Sequence, residues 1–238
     1  MIFGAILAGG VGSRMSIEGM PKQYLPLGSR PVFVHTLEKF LLCGDFDAVF
    51  IGTHGDWVDF TRNEVEKFVT GDAPVHVVQG GDDRNGTIMN IVAAIEEFYG
   101  TSDDHIVVTH DSVRPFVKIS TIKDNISAAR EYGACDTVIP ATDTIVVSSD
   151  GEVVEDIPLR SVMYQGQTPQ SFKLPLFKSL YEGLSDEERA VLTDACKALV
   201  LKGFPVHLVR GDVTNIKLTT VMDYRVAQAM VESEVADR

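Results

Sequence analysis

The chain has 238 residues, 45% of them hydrophobic and 23% charged, which suits one folded domain of ordinary globular composition and excludes intrinsic disorder. The 21 Lys and Arg against 34 Asp and Glu leave a formal charge of −13. That balance excludes a general nucleic-acid binder and a peripheral protein of anionic membranes, both of which need a basic face. If the substrates are anions, the few cations that meet them must be placed locally.

Cys43, Cys135 and Cys196 are odd in number and widely spaced, so they read as small buried residues in a reducing compartment, not as a disulfide framework. The N-terminal MIFGAILAGG has no basic leader region, and no apolar run approaches the ~18 residues of a membrane span. The expectation is a soluble cytoplasmic protein.

In chain order, Ile2 to Leu7 reads as a buried strand ended by Ala8-Gly9-Gly10. Pro31 opens a helix with Val34, Leu37, Phe40 and Leu41 on one face. Ala48–Ile51 and Val75–Val78 are strands, and Ile88, Ile91, Val92 and Ile95 mark a helix face. Ile106–Val108 is a further buried strand, Ile119 to Tyr132 a helix, and Thr137–Ile139 a strand again. Strands alternating with helices imply a doubly wound, mostly parallel α/β sheet in one domain over residues 1–238. At about Thr142 the rhythm changes. Thr144–Val147, Ser149-Asp150-Gly151 and Val153-Val154 read as a β-hairpin, and residues of about 142–168 as an inserted arm. Ser185–Glu188 and Thr220–Asp223 are capping-box candidates, with a strand at Val206–Val209 between them.

The segment Leu7-Ala8-Gly9-Gly10-Val11-Gly12-Ser13-Arg14-Met15 carries the most chemistry. Glycines after a strand let main-chain N–H groups approach a phosphate closely, although a plain strand-to-helix turn reads the same way. A dinucleotide fingerprint fails because the third glycine is missing, and a Walker loop fails because no Gly-Lys-Ser/Thr follows. What remains is a glycine loop flanked by Arg14 and by Lys22 in Pro21-Lys22-Gln23, a pairing that suggests a polyphosphate site. Either cation alone would read as an ordinary surface charge. Asp111 closes a buried strand, where it is either a helix cap or a site carboxylate able to carry Mg²⁺, and Arg114 three residues on favours the site. The six histidines show no zinc-binding spacing, and His110 reads as a core histidine.

A-G-G-x-G-x-R-M followed by P-K-Q resembles the nucleotidyltransferases that activate sugar or polyol phosphates, in their cytidylyltransferase branch. Gly80–Thr87, His110–Pro115, Asp143-Thr144, Gln167–Gln170 and Asn215-Ile216-Lys217 extend the likeness over essentially the whole chain. The resemblance implies transfer of CMP from CTP to a polyol phosphate with Mg²⁺. Arg14 and Lys22 would be the catalytic cations, and Asp111 the metal ligand. CTP would be held by Leu7, Ala8, Gly9, Gly10 and Gly12, by Gly81, Asp82, Asp83, Arg84, Asn85, Gly86 and Thr87, and by Ser112. Arg114, Thr144, Arg160, Thr168 and Lys217 would bind the acceptor. The arm would join two copies into a homodimer, with Arg160 the candidate to reach the partner copy's site. Family members often place Asp just before the Asn of N-I-K, where this chain has Thr214, with Asp212 near but not at that position. Within the branch, Tyr164–Gln170 and Leu192–Lys197 look closer to the ribitol-5-phosphate enzymes than to the methylerythritol-phosphate enzymes of isoprenoid synthesis, so D-ribitol 5-phosphate is the expected acceptor. The rival from another class is a silent nucleotide-binding subunit that keeps the fold.

Overall fold

A computed structural model describes residues 1–10, 16–17, 19–69 and 73–236. Strand β1 (Ile2–Ala8) is followed by two short ribbons, β2 (Ser16–Ile17) with β3 (Met20–Pro21) and β4 (Pro26–Leu27) with β5 (Arg30–Pro31). Helix α1 (Val32–Cys43), β6 (Ala48–Thr53), α2 (Val58–Phe68), β7 (Val75–Gln79), α3 (Arg84–Tyr99), β8 (Ile106–Asp111), α4 (Ile119–Tyr132) and β9 (Ala134–Pro140) alternate as the sequence implies. After the arm come β10 (Tyr164–Lys173), α5 (Leu174–Glu182), α6 (Asp186–Ala190), α7 (Ala195–Leu201), β11 (His207–Arg210) and α8 (Val221–Ala236). The seven-stranded sheet runs β11-β9-β10-β8-β1-β6-β7 and is parallel except for β10, which lies antiparallel between β8 and β9.

The period-2 alternation along β1 divides its side chains between two cores. Ile2 and Ile6 join Phe33, Leu37, Phe40, Ile122 and Ile126 on one face, whereas Phe3, Ala5 and Leu7 join Ile88, Ile91, Ile95, Phe172 and Phe177 on the other. A Cβ on Gly4 would lie 2.8 Å from the Phe40 ring, so the glycine in mid-strand is what lets α1 sit this close to β1. Pro31 turns out to be the residue just ahead of α1 and not its first helical residue. α6 carries the expected capping box, and Thr220 and Asp223 exchange side-chain-to-main-chain bonds of 3.2 and 2.7 Å ahead of α8.

The sequence reading extends the arm to about residue 168, but the sheet takes the chain back at Tyr164. β10 shows no apolar run because Gln167, Thr168, Gln170 and Ser171 are buried polar groups, each hydrogen-bonded to distant neighbours, although Gln170 Oε1 has no partner among the described residues. Between Gly166 and Gln170 its register with β9 shifts in a bulge that contains the cis Thr168–Pro169 bond. The hairpin of the arm is loose. One β-bridge, Val147 to Asp156, and the Ser149 N–H donating to Glu155 Oε1 at 3.1 Å link its two sides, and Gly151 at φ 78° lies at the turn. All three cysteines are free and buried, and burial pushes the Cys135 thiol up to about 12. Among the described residues no helix is long and apolar enough to cross a membrane.

Candidate active site

The carboxyl ends of β1 and β8 and the N-terminus of α3 open onto one cavity of about 230 Å³, lined by the loop after β1, Lys22, the 81–84 loop, Asp111, Ser112 and Lys217. Ligands in parallel sheets gather at this edge, where strand order reverses. Gln23 braces the glycine loop by donating from Nε2 to the Ala8 carbonyl at 2.7 Å and to the Gly10 carbonyl at 2.9 Å. Across the cavity, Asp83 caps α3 by accepting from Gly86 N–H at 2.7 Å, and the Gly81 N–H donates to Thr87 Oγ1 at 3.1 Å. The cavity therefore faces the positive end of a 16-residue helix, a ready anion site. A Cβ on Gly81 would lie 2.6 Å from the main-chain carbon of Gly86, so the loop cannot keep this shape with a side chain there. Gly81→Ala is expected to weaken anion binding in the cavity about tenfold or more, read by titration calorimetry with pyrophosphate, because a misplacement of about 1 Å already has large effects at such sites.

Asp111 is 7% exposed and meets three cations. Lys217 Nζ lies 2.8 Å from Oδ2, Arg114 Nε 3.7 Å from Oδ2, and Arg84 Nε 3.4 Å from Oδ1. Burial opposes its charge, but Arg84, Lys217 and Arg114 overcome that and hold the carboxyl well below the usual carboxylate range. One carboxylate amid three cations leaves the cluster with surplus positive charge in an acidic protein. His110 is buried, and desolvation lowers its imidazole to about 4, so it is neutral at physiological pH. Thr36 Oγ1 fixes the Ser112 carbonyl at 2.9 Å, and Ser112 N–H donates to the Leu7 carbonyl at 3.1 Å.

The family model for IspD, 2-C-methyl-D-erythritol 4-phosphate cytidylyltransferase, matches residues 2–233. The chain belongs to this family. The structure of 4-diphosphocytidyl-2C-methyl-D-erythritol synthase from Anaerococcus prevotii is similar with a TM-score of 0.81 and 27% identity, covering 97% of this chain and 98% of that one. The Francisella tularensis 2-C-methyl-D-erythritol 4-phosphate cytidylyltransferase gives 0.79 and 26%, covering 96% and 98%. The Thermus thermophilus enzyme of the same description, at 24% identity and a TM-score of 0.71 over 98% and 100% of the two chains, shares the fold.

In this cytidylyltransferase the cavity gathers Leu7, Gly9, Gly10, Lys22, Gly81, Asp82, Asp83, Arg84, Thr87, Asp111, Ser112 and Lys217 from the expected site. Arg14 and Gly12 lie outside the described residues. Ala8 is buried with its carbonyl on Gln23, Gly86 acts through its main chain, and Asn85 is buried behind the loop. The expected acceptor residues separate. Lys217 faces the cavity, but Arg114 and Thr168 are buried in main-chain and side-chain bonds. Thr144 and Arg160 lie on the exposed arm, where Arg160 Nη1 donates to the Thr142 carbonyl at 3.2 Å. Asp212 pairs with Lys118 and accepts from Thr214 N–H at 2.9 Å, so it does not supply a second site carboxylate. Among the described residues no three His, Cys, Asp or Glu converge as a metal cage. Gln23 and Asn215 had no role assigned from the sequence; they are uncharged residues that brace main-chain carbonyls, and their only signal is their place in the P-K-Q and N-I-K motifs.

Behind the cavity, Asp136 Oδ1 accepts from Gln170 Nε2 at 3.0 Å. Burial first, and then Asp194, push its carboxyl up to about 6 against the pull of Gln170 and Arg84. A carboxyl with a raised folded pKa favours the fold below its unfolded value and loses that contribution as pH rises through about 6. Asp136→Asn keeps the acceptor oxygen without the charge. It is expected to stabilise the protein by about 1–3 kcal/mol at about pH 8 and to change nothing at about pH 4, read by denaturant unfolding.

Proposed function

We propose that the chain transfers the cytidylyl group of CTP to the phosphate of 2-C-methyl-D-erythritol 4-phosphate, releasing pyrophosphate. The observation that carries the reading is the cavity itself, in which a glycine loop, a helix N-terminus and Lys22, Arg84 and Lys217 converge on the end of β8. An acceptor phosphate oxygen forms a bond to the α-phosphorus as the bond from that phosphorus to the bridging oxygen breaks, and the leaving pyrophosphate takes the electron pair. Both reactants are anions, so the barrier falls only where fixed positive groups meet the charge that gathers at phosphorus. Lys22 serves this from the glycine-loop side and Lys217 from the side of Asp111, with Arg14 assigned to the same role by the family motif. The positive N-terminal end of α3 faces the triphosphate, with Gly81, Gly86 and Thr87 N–H groups spent on shaping the loop. Asp111 suits Mg²⁺, an ion that takes one or two carboxylates together with phosphate oxygens; when bound it would neutralise phosphate charge.

The described acceptors of the similar enzymes support methylerythritol phosphate over the ribitol phosphate expected from the motifs. D-ribitol 5-phosphate remains the second reading because Tyr164–Gln170 and Leu192–Lys197 resemble that branch and Ser112 stands where the methylerythritol branch usually has alanine. Pyrophosphate release from CTP is measured with each polyol phosphate in turn. Faster release with methylerythritol phosphate is expected, and faster release with ribitol phosphate transfers the assignment to the second reading. CTP binding without release on either would make the chain a silent nucleotide-binding subunit. Homodimerisation through the arm belongs to the same proposal. Val146, Val153, Ile157, Leu159 and Val162 are each more than half exposed there, an apolar stretch that a second copy would cover.

A further inference from the structure

Lys22, Gln23 and Tyr24 form one short 3₁₀ turn, and their side chains go three different ways. Lys22 lines the cavity, and Gln23 braces the glycine loop through the Ala8 and Gly10 carbonyls. Tyr24 is 2% exposed. Its ring stacks on Trp57 with centroids 4.8 Å apart and meets Phe33 and Phe60 edge-on. Its hydroxyl lies 2.5 Å from Thr53 Oγ1 and 2.8 Å from Thr61 Oγ1.

The direction of these bonds follows from their last member. Thr61 Oγ1 donates to the Trp57 carbonyl at 2.7 Å, and a carbonyl only accepts. The single hydroxyl proton of Thr61 is therefore spent, so its oxygen accepts from Tyr24. The Tyr24 proton is spent in turn, and its oxygen accepts from Thr53. Burial pushes the Tyr24 hydroxyl above its ordinary value, which keeps that proton in place. Tyr24, Thr53 and Thr61 are all buried, so each hydroxyl depends on this order for its partner.

Thr53 closes β6 at the edge of the sheet that carries the site. Its main chain serves the other wall of the cavity, where the Thr53 carbonyl accepts the Gly80 N–H at 2.6 Å just ahead of the 81–84 loop. A Cβ on Gly80 would lie 2.8 Å from Thr87 Oγ1 and 3.3 Å from that carbonyl oxygen, so the close approach needs glycine. One residue thus holds the Lys22 turn with its hydroxyl and the second loop with its carbonyl. Tyr24, Thr53 and Thr61 are absent from the cavity lining.

We infer that the Tyr24–Thr53 bond is a latch that sets the Lys22 ammonium against the 81–87 loop, with Tyr24 and Thr53 as positioning residues that act through Lys22. A single turn has little internal bonding; the Leu25 N–H reaches the Lys22 carbonyl at 3.3 Å, so side-chain anchors decide where the lysine stem begins. Small displacements of a charged group at such a site act on the transition state.

Tyr24→Phe keeps the ring and its stack but deletes the hydroxyl, and Thr53→Val keeps the shape but deletes the donor. Each is expected to lower kcat about tenfold, with acceptor KM within about threefold of wild type. Thr53→Ser, which keeps the hydroxyl, should stay within about threefold in kcat. In a Lys22→Met background, Tyr24→Phe should cost no more than about a further twofold, because the ammonium it places is gone. Amide hydrogen exchange reads the other wall. In Tyr24→Phe the Gly80 N–H should accelerate about tenfold more than the Val108 N–H in the middle of β8. A full tenfold loss in the Lys22→Met background, or an acceptor KM that rises with kcat unchanged, would overturn the inference. Equal acceleration at Gly80 and Val108 would also overturn it, by showing a general loosening of the fold. The kinetic part rests on the cytidylyl-transfer reading and the exchange part does not, so a Gly80 response without turnover of either polyol phosphate would support the latch and count against that reading alone. Should one of the two variants not fold, the other is held to the same criteria.

Discussion

Lys22→Met and Lys217→Met should each lower kcat for pyrophosphate release about 10²–10³-fold, the usual loss when one preorganised donor to a developing charge is removed. Methionine keeps the unbranched stem and deletes only the ammonium, so the packing of the cavity wall is little disturbed. Both lysines line the cavity, and Lys217 lies 2.8 Å from Asp111. Lys217→Arg is expected to rescue poorly, because a planar guanidinium would lie flat on the Asp111 carboxylate already approached by Arg84 and Arg114. Stability should change little in Lys217→Met, since the Lys217 side chain is 41% exposed and solvent screens its pair with Asp111. Steady-state kinetics and a melting curve check both halves, and turnover within twofold of wild type would remove the lysines from the chemistry.

Much of this was legible in the chain because the strands next to the site, β1, β6 and β8, are buried on both faces and therefore read as unbroken apolar runs. The glycines of the two loops and Lys22, Asp111 and Lys217 could be named because they stand in an ordered series of motifs that resembles the cytidylyltransferases; each alone has an ordinary reading as a turn, a surface charge or a helix cap. β10 was invisible for the opposite reason. It is a buried strand built from Gln167, Thr168, Gln170 and Ser171, whose burial is made tolerable by partners up to 61 residues away, and no local pattern encodes such partners. The same long-range bonding places Thr168 and Arg114, two expected acceptor residues, in ways no local pattern shows: the Thr168 hydroxyl meets His110 and the Asp111 N–H, and the Arg114 guanidinium meets the Asn215 carbonyl and the Asp111 carboxylate. The capping residues at α6 and α8 were readable because their partners lie within four positions.

Asp111→Asn should have the largest effect on the fold. The carboxylate is the common counter-charge of Arg84, Arg114 and Lys217, and Arg84 and Arg114 are themselves mostly buried. Removing one partner of a buried ion pair typically costs about 3–5 kcal/mol, because the remaining charge is left uncompensated, and here three remain. The sign with pH is fixed by the direction of the shift. A carboxyl held below its unfolded pKa contributes stability that is fully present above that value and is lost as pH falls toward the folded one. The gap between wild type and Asp111→Asn should therefore be widest near neutrality and narrow in acid, as measured by urea unfolding at a series of pH values. A constant gap would mean that the amide loses packing and not charge balance. The cause can be isolated further. In the Asp111→Asn background, Arg84→Met removes one of the stranded cations and should restore part of the lost stability, whereas in wild type the same change should destabilise. Such a reversal of sign is available only to charges that share one counter-ion, and additive losses in the double variant would show that the three cations do not depend on Asp111 as a group.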